Sequence, residues 1–550
     1  MKGNAWRAVV PVLVAIAISI LPVPEGLTPK AWYYFALFAA VLVGLILEPL
    51  PAAAIGVFGV TVAAALLLVQ PPPAKPAKPP AEKPAAVTTD NAPKAAPLPK
   101  VPSTRDNEGK TVVQKAPVAA KDNEGKVTAA SPPGKPASPK PEDAGPKPLT
   151  PAEAIRWALS GFSDGTVWLI FVAYMFAMGY EKTGLGRRLS LGLVKKLGKR
   201  TLGLGYAVAL SDLVLSPFIP SNTARSGGTI YPIIENIPGL YGSSPDKEPR
   251  KIGSYLMWTA IATTSVTSSL FLTGLAPNLL ALSLVQKGAK VSISWMEWCT
   301  GFLPVGAILF LTVPYLTYKL YPPTLKVSQD VYRWAGEELE KMGSITTKEI
   351  LMAGAAILAL LLWIFGGDYL NATTVALLAL SMMIATGIVT WDDVIGNKQA
   401  WNVLVWFATL VTLAEGLNRV GFLKWVSEAV ARSVAGVPVM TMVILLVVFF
   451  FMIHYIFASI TAHVTGLLPV MLATGMAVPG MPVKMFAMLL CYTLGIMGIL
   501  TPYATGPSPI YYGSRYISRT AYWSLGLFFG VYFLAVLLLV GVPYLRLVSP

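Results

Sequence analysis

Two short stretches set small polar residues where the neighbouring chain is apolar. SNTARSGG opens at Ser221 and SITAHVTG at Ser459, and each carries a basic or titratable side chain two residues after its threonine, Arg225 in one and His463 in the other. A second pair, TGLAPN from Thr273 and ATGPSP from Ala504, combines glycine and proline with hydroxyl and amide groups inside long apolar runs. Glycine and proline interrupt helices. Within a bilayer an interrupted backbone must be buried in protein or line a watery cavity, since every free N–H and C=O needs a partner. Four such stretches, two per half of the chain, imply a central polar site.

At a hairpin tip or a helix break, free N–H groups and the positive end of the helix dipole favour an anion, and short hydroxyls and amides add donors without filling the space. One such half-site suits a carboxylate, and two facing each other suit a molecule with two carboxylates. The residues expected to hold it are Ser221, Asn222, Thr223, Gly274, Pro277 and Asn278 from one half, with Ser459, Thr461, Thr505, Gly506 and Pro507 from the other. Arg225 and His463 are expected to compensate charge beside the substrate, since a charge at membrane depth is costly and marks function or a partner. Arg225 stays protonated, whereas an ordinary histidine titrates near about 6.5. His454, nine residues before His463, reads as a packing residue, and Glu415 as an acid that pairs with a nearby base.

Catalysis needs a nucleophile with its base, or a metal set, and the chain has neither H-E-x-x-H nor a P-loop. Cys299 and Cys491 lack paired spacing, so neither a disulfide framework nor a metal cluster is expected. No cofactor or metal is expected. An intramembrane hydrolase using Ser221 or Ser459 with His463 is the alternative from the enzyme class, and it leaves the duplication of both stretches unexplained.

The elements that must position these residues are membrane helices. The residues are 54% hydrophobic and mean hydropathy is +0.60, with many apolar runs near the about 20 residues that span a bilayer core. Net charge is +15, but many of the Lys and Arg residues flank apolar segments, where they set orientation and do not imply nucleic acid as a partner. Apolar runs at 6–24, 31–49 and 52–70 make 1–70 an N-terminal helical segment, its first run a retained helix with no clear cleavage site after it. The stretch 71–150 is rich in Pro, Ala and Lys and poor in aromatics, which reads as a disordered insert. A first repeat over 151–320, a linker at 321–348 and a second repeat over 349–550 follow.

EKTGLGRRLSLGLVKKLGKR carries seven Lys and Arg residues and marks a cytoplasmic face. Counting from it, helices near 302–320, 349–366, 372–389, 400–416 and 522–545 alternate sides, the insert falls outside and the N-terminus inside. The halves repeat at about 238 residues: Trp168 and Trp406 open similar helices, and A-x-G-x-x-[KR]-x-G recurs at Ala177 and Ala414. The two copies run in opposite directions through the bilayer, the usual sign of a secondary transporter. The runs at 203–220 with 228–240, and at 438–458 with 464–478, read as re-entrant hairpins. The fold class is therefore an all-α polytopic membrane protein of about 11 transmembrane helices and two re-entrant hairpins.

At these residues the chain resembles the divalent anion:sodium symporter family, whose hallmark is a Ser-Asn-Thr signature in each inverted repeat. Ser221–Thr223 matches it fully, and Ser459–Thr461 in two of three places. FASITAH from Phe457 and TPYATGP from Thr501 look most like the antiporter branch, which holds 2-oxoglutarate/malate translocators and citrate/succinate and tartrate/succinate exchangers. The resemblance implies a homodimer in a bacterial inner membrane, an elevator-type movement of a transport domain against a scaffold, and substrate carboxylates held by the paired signatures. In the sodium-coupled branch the second asparagine helps to ligate sodium. Ile460 stands there in this chain, so exchange of 2-oxoglutarate, malate or succinate is the expectation, with a sodium-coupled symporter or an inorganic-anion carrier as alternatives.

Overall fold

The computed structural model describes residues 5–69, 149–433 and 436–548, so nearly all of the insert expected at 71–150 lies outside the described residues. Among them every regular element is helical. The chain begins with α1 (Ala5–Ile20), α2 (Pro29–Leu47) and α3 (Ala52–Ala65). α2 starts where Thr28 accepts the Ala31 N–H and Pro29 presets the backbone of the first turn. The short α4 (Pro151–Ala158) opens on a reciprocal cap between Thr150 and Glu153. There follow α5 (Gly165–Thr183), the basic amphipathic α6 (Leu185–Leu197) and α7 (Thr201–Leu215).

Pro217 and Pro220 end the α7 run, and the signature emerges into a wide π-type turn, Thr223–Ile230, before the one-turn α8 (Tyr231–Ile234). A continuous apolar arm over 228–240 is thus not what forms. Gly228 weakens the helix, and Pro232 and Pro238 each remove a backbone donor, leaving only α8 and a tight turn at Pro238–Tyr241.

α9 (Gly253–Leu270) and α10 (Ala276–Ala289) are one run broken at Leu272–Gly274. Every residue of α9 is buried, including Thr263, Thr264, Ser265, Thr267, Ser268 and Ser269. It packs against α7, and against α11 (Trp295–Leu320) further on. Then come α12 (Gln329–Lys341), α13 (Thr347–Phe365), α14 (Ala372–Ala385), α15 (Trp391–Gly396), α16 (Lys398–Arg419) and α17 (Phe422–Ser433). α5 and α16, which carry Trp168 and Trp406, pack on one another, with α16 starting at Lys398 well before Trp406, and α16 also covers α3.

The order of elements then recurs. α18 (Val439–Met452) ends in a tight turn at Ile453–Ile456, the second signature follows, and α19 (Ile460–Met476) returns. α19 begins at the tip itself, earlier than the apolar run at 464–478 suggests, because Ser459 caps it. α20 (Val483–Ile496) and α21 (Ser508–Gly513) flank a second break. α20 packs on α9, and α10 on α19, so the broken helices of the two halves form the centre of the bundle. α22 (Arg519–Val536) and α23 (Val542–Val548) are separated by a π-type turn next to Pro543, where the expected run at 522–545 would be unbroken.

Six helices among the described residues are long and apolar enough to cross a bilayer: α2, α11, α13, α16, α18 with its final turn, and α22 with α23. Salt bridges tie elements together at their ends. Lys182 at the end of α5 bonds Asp393 of α15, and Arg188 of α6 lies 2.5 Å from Glu349 at the start of α13. Glu415 pairs with Arg419 one turn on, at 2.9 Å.

Candidate substrate site

Both signatures are helix caps. Ser221 Oγ accepts the Ala224 N–H at 3.2 Å while the Ser221 carbonyl accepts from Arg225 N at 2.8 Å. Ser459 repeats the arrangement, its Oγ accepting from Ala462 N at 3.4 Å and its carbonyl from His463 N at 3.1 Å. Serine and asparagine are favoured at such starts because their short side chains satisfy N–H groups that the helix leaves free. Each tip therefore presents the positive end of a helix.

The polar stretches of the two halves meet. Asn222 Nδ2 donates to Thr505 Oγ1 at 2.8 Å, and Ser226 Oγ lies 2.8 Å from Tyr511 Oη. Gly506 sits so close that a Cβ there would fall 1.8 Å from Thr223 Oγ1. The first signature thus lies against the second break, with Thr223 and Gly506 exposed and Asn222 and Thr505 buried. The Tyr174 hydroxyl interacts with Ser221 and Gln399, adding α5 and α16 to the same neighbourhood.

The first break is tied to the first hairpin. Ala276 N donates to the Pro220 carbonyl at 2.8 Å, and Thr273 Oγ1 to the Pro217 carbonyl at 2.6 Å. Asn278 Nδ2 donates to the carbonyls of Ser268 and Phe271 at 2.7 and 3.3 Å, serving the end of α9, while its buried Oδ1 is unpartnered. Pro277 occupies the first turn of α10, where its missing N–H costs nothing.

Arg225 does not offer a free charge, which corrects the expectation from sequence. Its guanidinium is fully buried and Nε lies 3.2 Å from both carboxylate oxygens of Asp212 on α7. Nη1 donates to the carbonyls of Ile219 and Gly274 at 2.7 Å each, and Nη2 to Ser268 Oγ at 3.1 Å. Thr264 and Thr267 donate to Asp212 in turn. The pair is neutral as a unit and ties hairpin, break and α9 together. Asp212 was legible as a lone carboxylate in the apolar run ALSDLVL, the kind of residue that needs a partner at membrane depth.

His463 is also turned inward. Its ring packs edge-on against Phe450 and Phe457 at centroid distances of 4.3 and 5.0 Å, and its Nδ1 lies 3.3 Å from His454 Nδ1. His454 Nε2 lies 3.0 Å from the Ala504 carbonyl, so that residue is more than packing. Thr461 and Ser459 remain partly exposed beside the buried Ile460. A cleft of about 590 Å³, lined by Tyr180, Arg187, Thr229, Trp334 and Glu338 among others, reaches the far arm of the first hairpin. No cluster of three His, Cys, Asp or Glu residues able to hold a metal occurs among the described residues. The first helix start and the second break thus bring N–H groups, hydroxyls and an amide from the two halves together, groups of a kind that suit an anion.

The chain matches the family described as the sodium:sulfate symporter transmembrane region over residues 2–549. It is 42% identical over 547 residues to a citrate/succinate antiporter of Escherichia coli (strain K12), covering 99% of each chain. It is 43% identical over 548 residues to an L-tartrate/succinate antiporter of the same strain, covering 99% of this chain and 98% of the other. The crystal structure of the Alcanivorax borkumensis YdaH transporter shares 19% identity over 71% of this chain and 88% of that one, with a TM-score of 0.47, too weak a likeness to argue from.

Proposed function

The chain belongs to the divalent anion:sodium symporter family, and from that premise we propose that it is a secondary transporter exchanging small dicarboxylates across a bacterial inner membrane. The family and the relatives above are transporters, and the relatives' names pair succinate with a second di- or tricarboxylate. Succinate, malate and 2-oxoglutarate are the substrates proposed. The observation that carries the reading is the bond from Asn222 of the first, serine-capped signature to Thr505 of the second break, which supports a site built from both halves.

In this reading one carboxylate rests on Ser221, Asn222 and Thr223 with the backbone at Gly274 and Pro277, and Asn278 firms that break. The other rests on Ser459 and Thr461 with Thr505, Gly506 and Pro507. Arg225 acts through its neutral pair with Asp212, holding the first half-site in shape, and the positive potential comes from helix starts and unspent donors. Moving those donors empty through low dielectric costs more than moving them with a dianion in place, which favours obligatory exchange. The Ile460 side chain has no oxygen or nitrogen to offer sodium, and its buried position in the apolar core favours exchange over sodium coupling.

The finer architecture proposed is about 11 transmembrane helices and two re-entrant hairpins in an inverted repeat, with the N-terminus cytoplasmic, working as a homodimer by an elevator movement. The segments proposed are scaffold helices over 1–70, the insert over 71–150, the first repeat over 151–320, the linker over 321–348 and the second repeat over 349–550.

The test uses purified protein in liposomes, following labelled 2-oxoglutarate with and without internal malate, each in sodium and in choline. Uptake that needs internal malate and ignores sodium is the expected result. A sodium-coupled symporter is the second reading, favoured by the description of the matching family. Uptake into empty vesicles on a sodium gradient would establish that reading instead, and competition by sulfate against malate separates an inorganic-anion carrier.

A further inference from the structure

His454 stands between the second hairpin and the second break, and its two ring nitrogens serve one each. Nε2 lies 3.0 Å from the Ala504 carbonyl and Nδ1 lies 3.3 Å from His463 Nδ1. A carbonyl only accepts, so Nε2 carries a hydrogen. In the neutral ring Nδ1 is then a bare acceptor, and His463 must hold its hydrogen on Nδ1 to complete the contact. His463 Nε2 is left as a lone pair, buried and unpartnered. Among the described residues the two rings bond only each other and the Ala504 carbonyl, with no carboxylate, lysine or arginine.

Adding one proton to the pair places an N–H on His463 Nε2 whichever ring carries the charge, because the Nδ1 contact has room for one hydrogen and Ala504 already holds His454 Nε2 as a donor. That N–H would have no acceptor among the described residues. The resting pair is therefore the neutral, oppositely tautomeric one.

Ala504 is the residue before Thr505, whose Oγ1 receives Asn222. Among the described residues, side chains tether the break between Thr501 and Pro507 to the turn Ile453–Ile456 of the second hairpin through His454 to Ala504 and through Tyr503 Oη to the Tyr455 carbonyl at 3.0 Å. The Tyr503 tether is exposed and the His454 tether wholly buried.

We propose that His454 is a positioning residue for dicarboxylate exchange: one ring hangs the second break on the second hairpin, sets Thr505 under Asn222 and fixes the tautomer of His463. The proposal rests on the exchange reading above. It predicts that the chain of contacts Asn222, Thr505, Ala504, His454, His463 moves as a unit linking both half-sites.

The experiment combines spectroscopy with kinetics on the full chain. The protein contains two histidines, so ¹⁵N-histidine labelling yields four ring nitrogens, assigned with His454→Phe. The expected spectrum of the unsubstituted protein at neutral pH shows one ring protonated at Nε2, His454, and the other at Nδ1, His463. In liposome exchange, His454→Phe should raise KM for the internal and external dicarboxylate about tenfold with Vmax within about threefold, while His454→Gln, whose amide can still donate to Ala504, recovers most of the loss.

If the same tautomer occupies both rings, or His454→Phe exchanges with unchanged KM, the proposal is overturned. Loss in His454→Gln equal to that in His454→Phe also overturns it, since bulk would then be at issue and not the donor. Should His454→Phe fail to fold, the spectrum of the unsubstituted protein, assigned with His454→Gln, still decides. Failure of the functional reading is seen separately, as unsubstituted protein that shows the two tautomers yet exchanges no dicarboxylate, and that result removes the positioning role with it.

Discussion

Asp212 and Arg225 form an ion pair closed off from solvent, Nε to carboxylate at 3.2 Å, with the side chains 2% and 0% exposed. Removing one partner leaves the other charged, buried and alone. Asp212→Asn should therefore destabilise the protein by about 3–5 kcal/mol, read as a fall in melting temperature in detergent. Arg225→Gln should cost a similar amount. The double variant should recover part of the loss, because no lone charge remains. Fully additive losses in the double variant would show that the two groups do not act as a pair.

Asn222 and Thr505, 283 residues apart, share a buried bond of 2.8 Å. If it joins the half-sites, Asn222→Ala and Thr505→Ala should be non-additive in substrate affinity, with a coupling of about 0.5–1.5 kcal/mol in a double-mutant cycle. A coupling indistinguishable from zero would mean that the two residues touch without cooperating in binding.

Gly506 permits the close approach of Thr223, and any side chain there meets Oγ1 at 1.8 Å. Gly506→Ala should lower stability by about 1–3 kcal/mol and abolish most exchange. Adding Thr223→Ala removes the atom that clashes and should restore the melting temperature, though not transport. Unchanged melting of the single variant would indicate that the break yields easily.

Glu338 on α12 is held by Lys341 at 2.6 Å and Arg187 of α6 at 2.8 Å, which keeps its carboxyl below the ordinary carboxylate range. A lowered folded-state pKa means that the stabilisation is present above the unfolded value of about 4.3 and is lost as pH falls through the folded one. Glu338→Gln should speed hydrogen exchange of α12 amides at pH 7, and the difference from the unsubstituted protein should shrink toward zero as pH drops well below about 4. A difference that persisted in acid would assign the effect to packing.

The sequence showed where the polar stretches are, because serine, threonine, glycine and proline inside apolar runs violate the composition that a bilayer demands. Ser221 and Ser459 were found that way, as were the breaks at Thr273 and Ala504. What it hid are contacts between residues far apart in the chain or on opposite arms of a hairpin. Arg225 looked like a free cation because Asp212 lies thirteen residues earlier in a helix with no visible relation to it. His454 looked like packing because its partners, His463 and Ala504, are brought to it by two separate returns of the chain. Boundaries slipped where proline and glycine act together: Gly228 with Pro232 turned an expected apolar arm into a wide turn and α8.

The two serine caps carry a consequence of their own. A hydroxyl that receives an N–H from its helix has given away a lone pair and kept its hydrogen; Ser459 is in that condition, while Ser221 is also engaged by the Tyr174 hydroxyl. If the tips hold carboxylates as proposed, a guest that arrives with lone pairs and no hydrogens completes the Ser459 cap, whereas one bearing its own hydrogen brings a donor to a place already rich in them. On that reading the tip would sort by ionisation, and lowering the pH outside would starve it by changing the cargo before it changed the carrier.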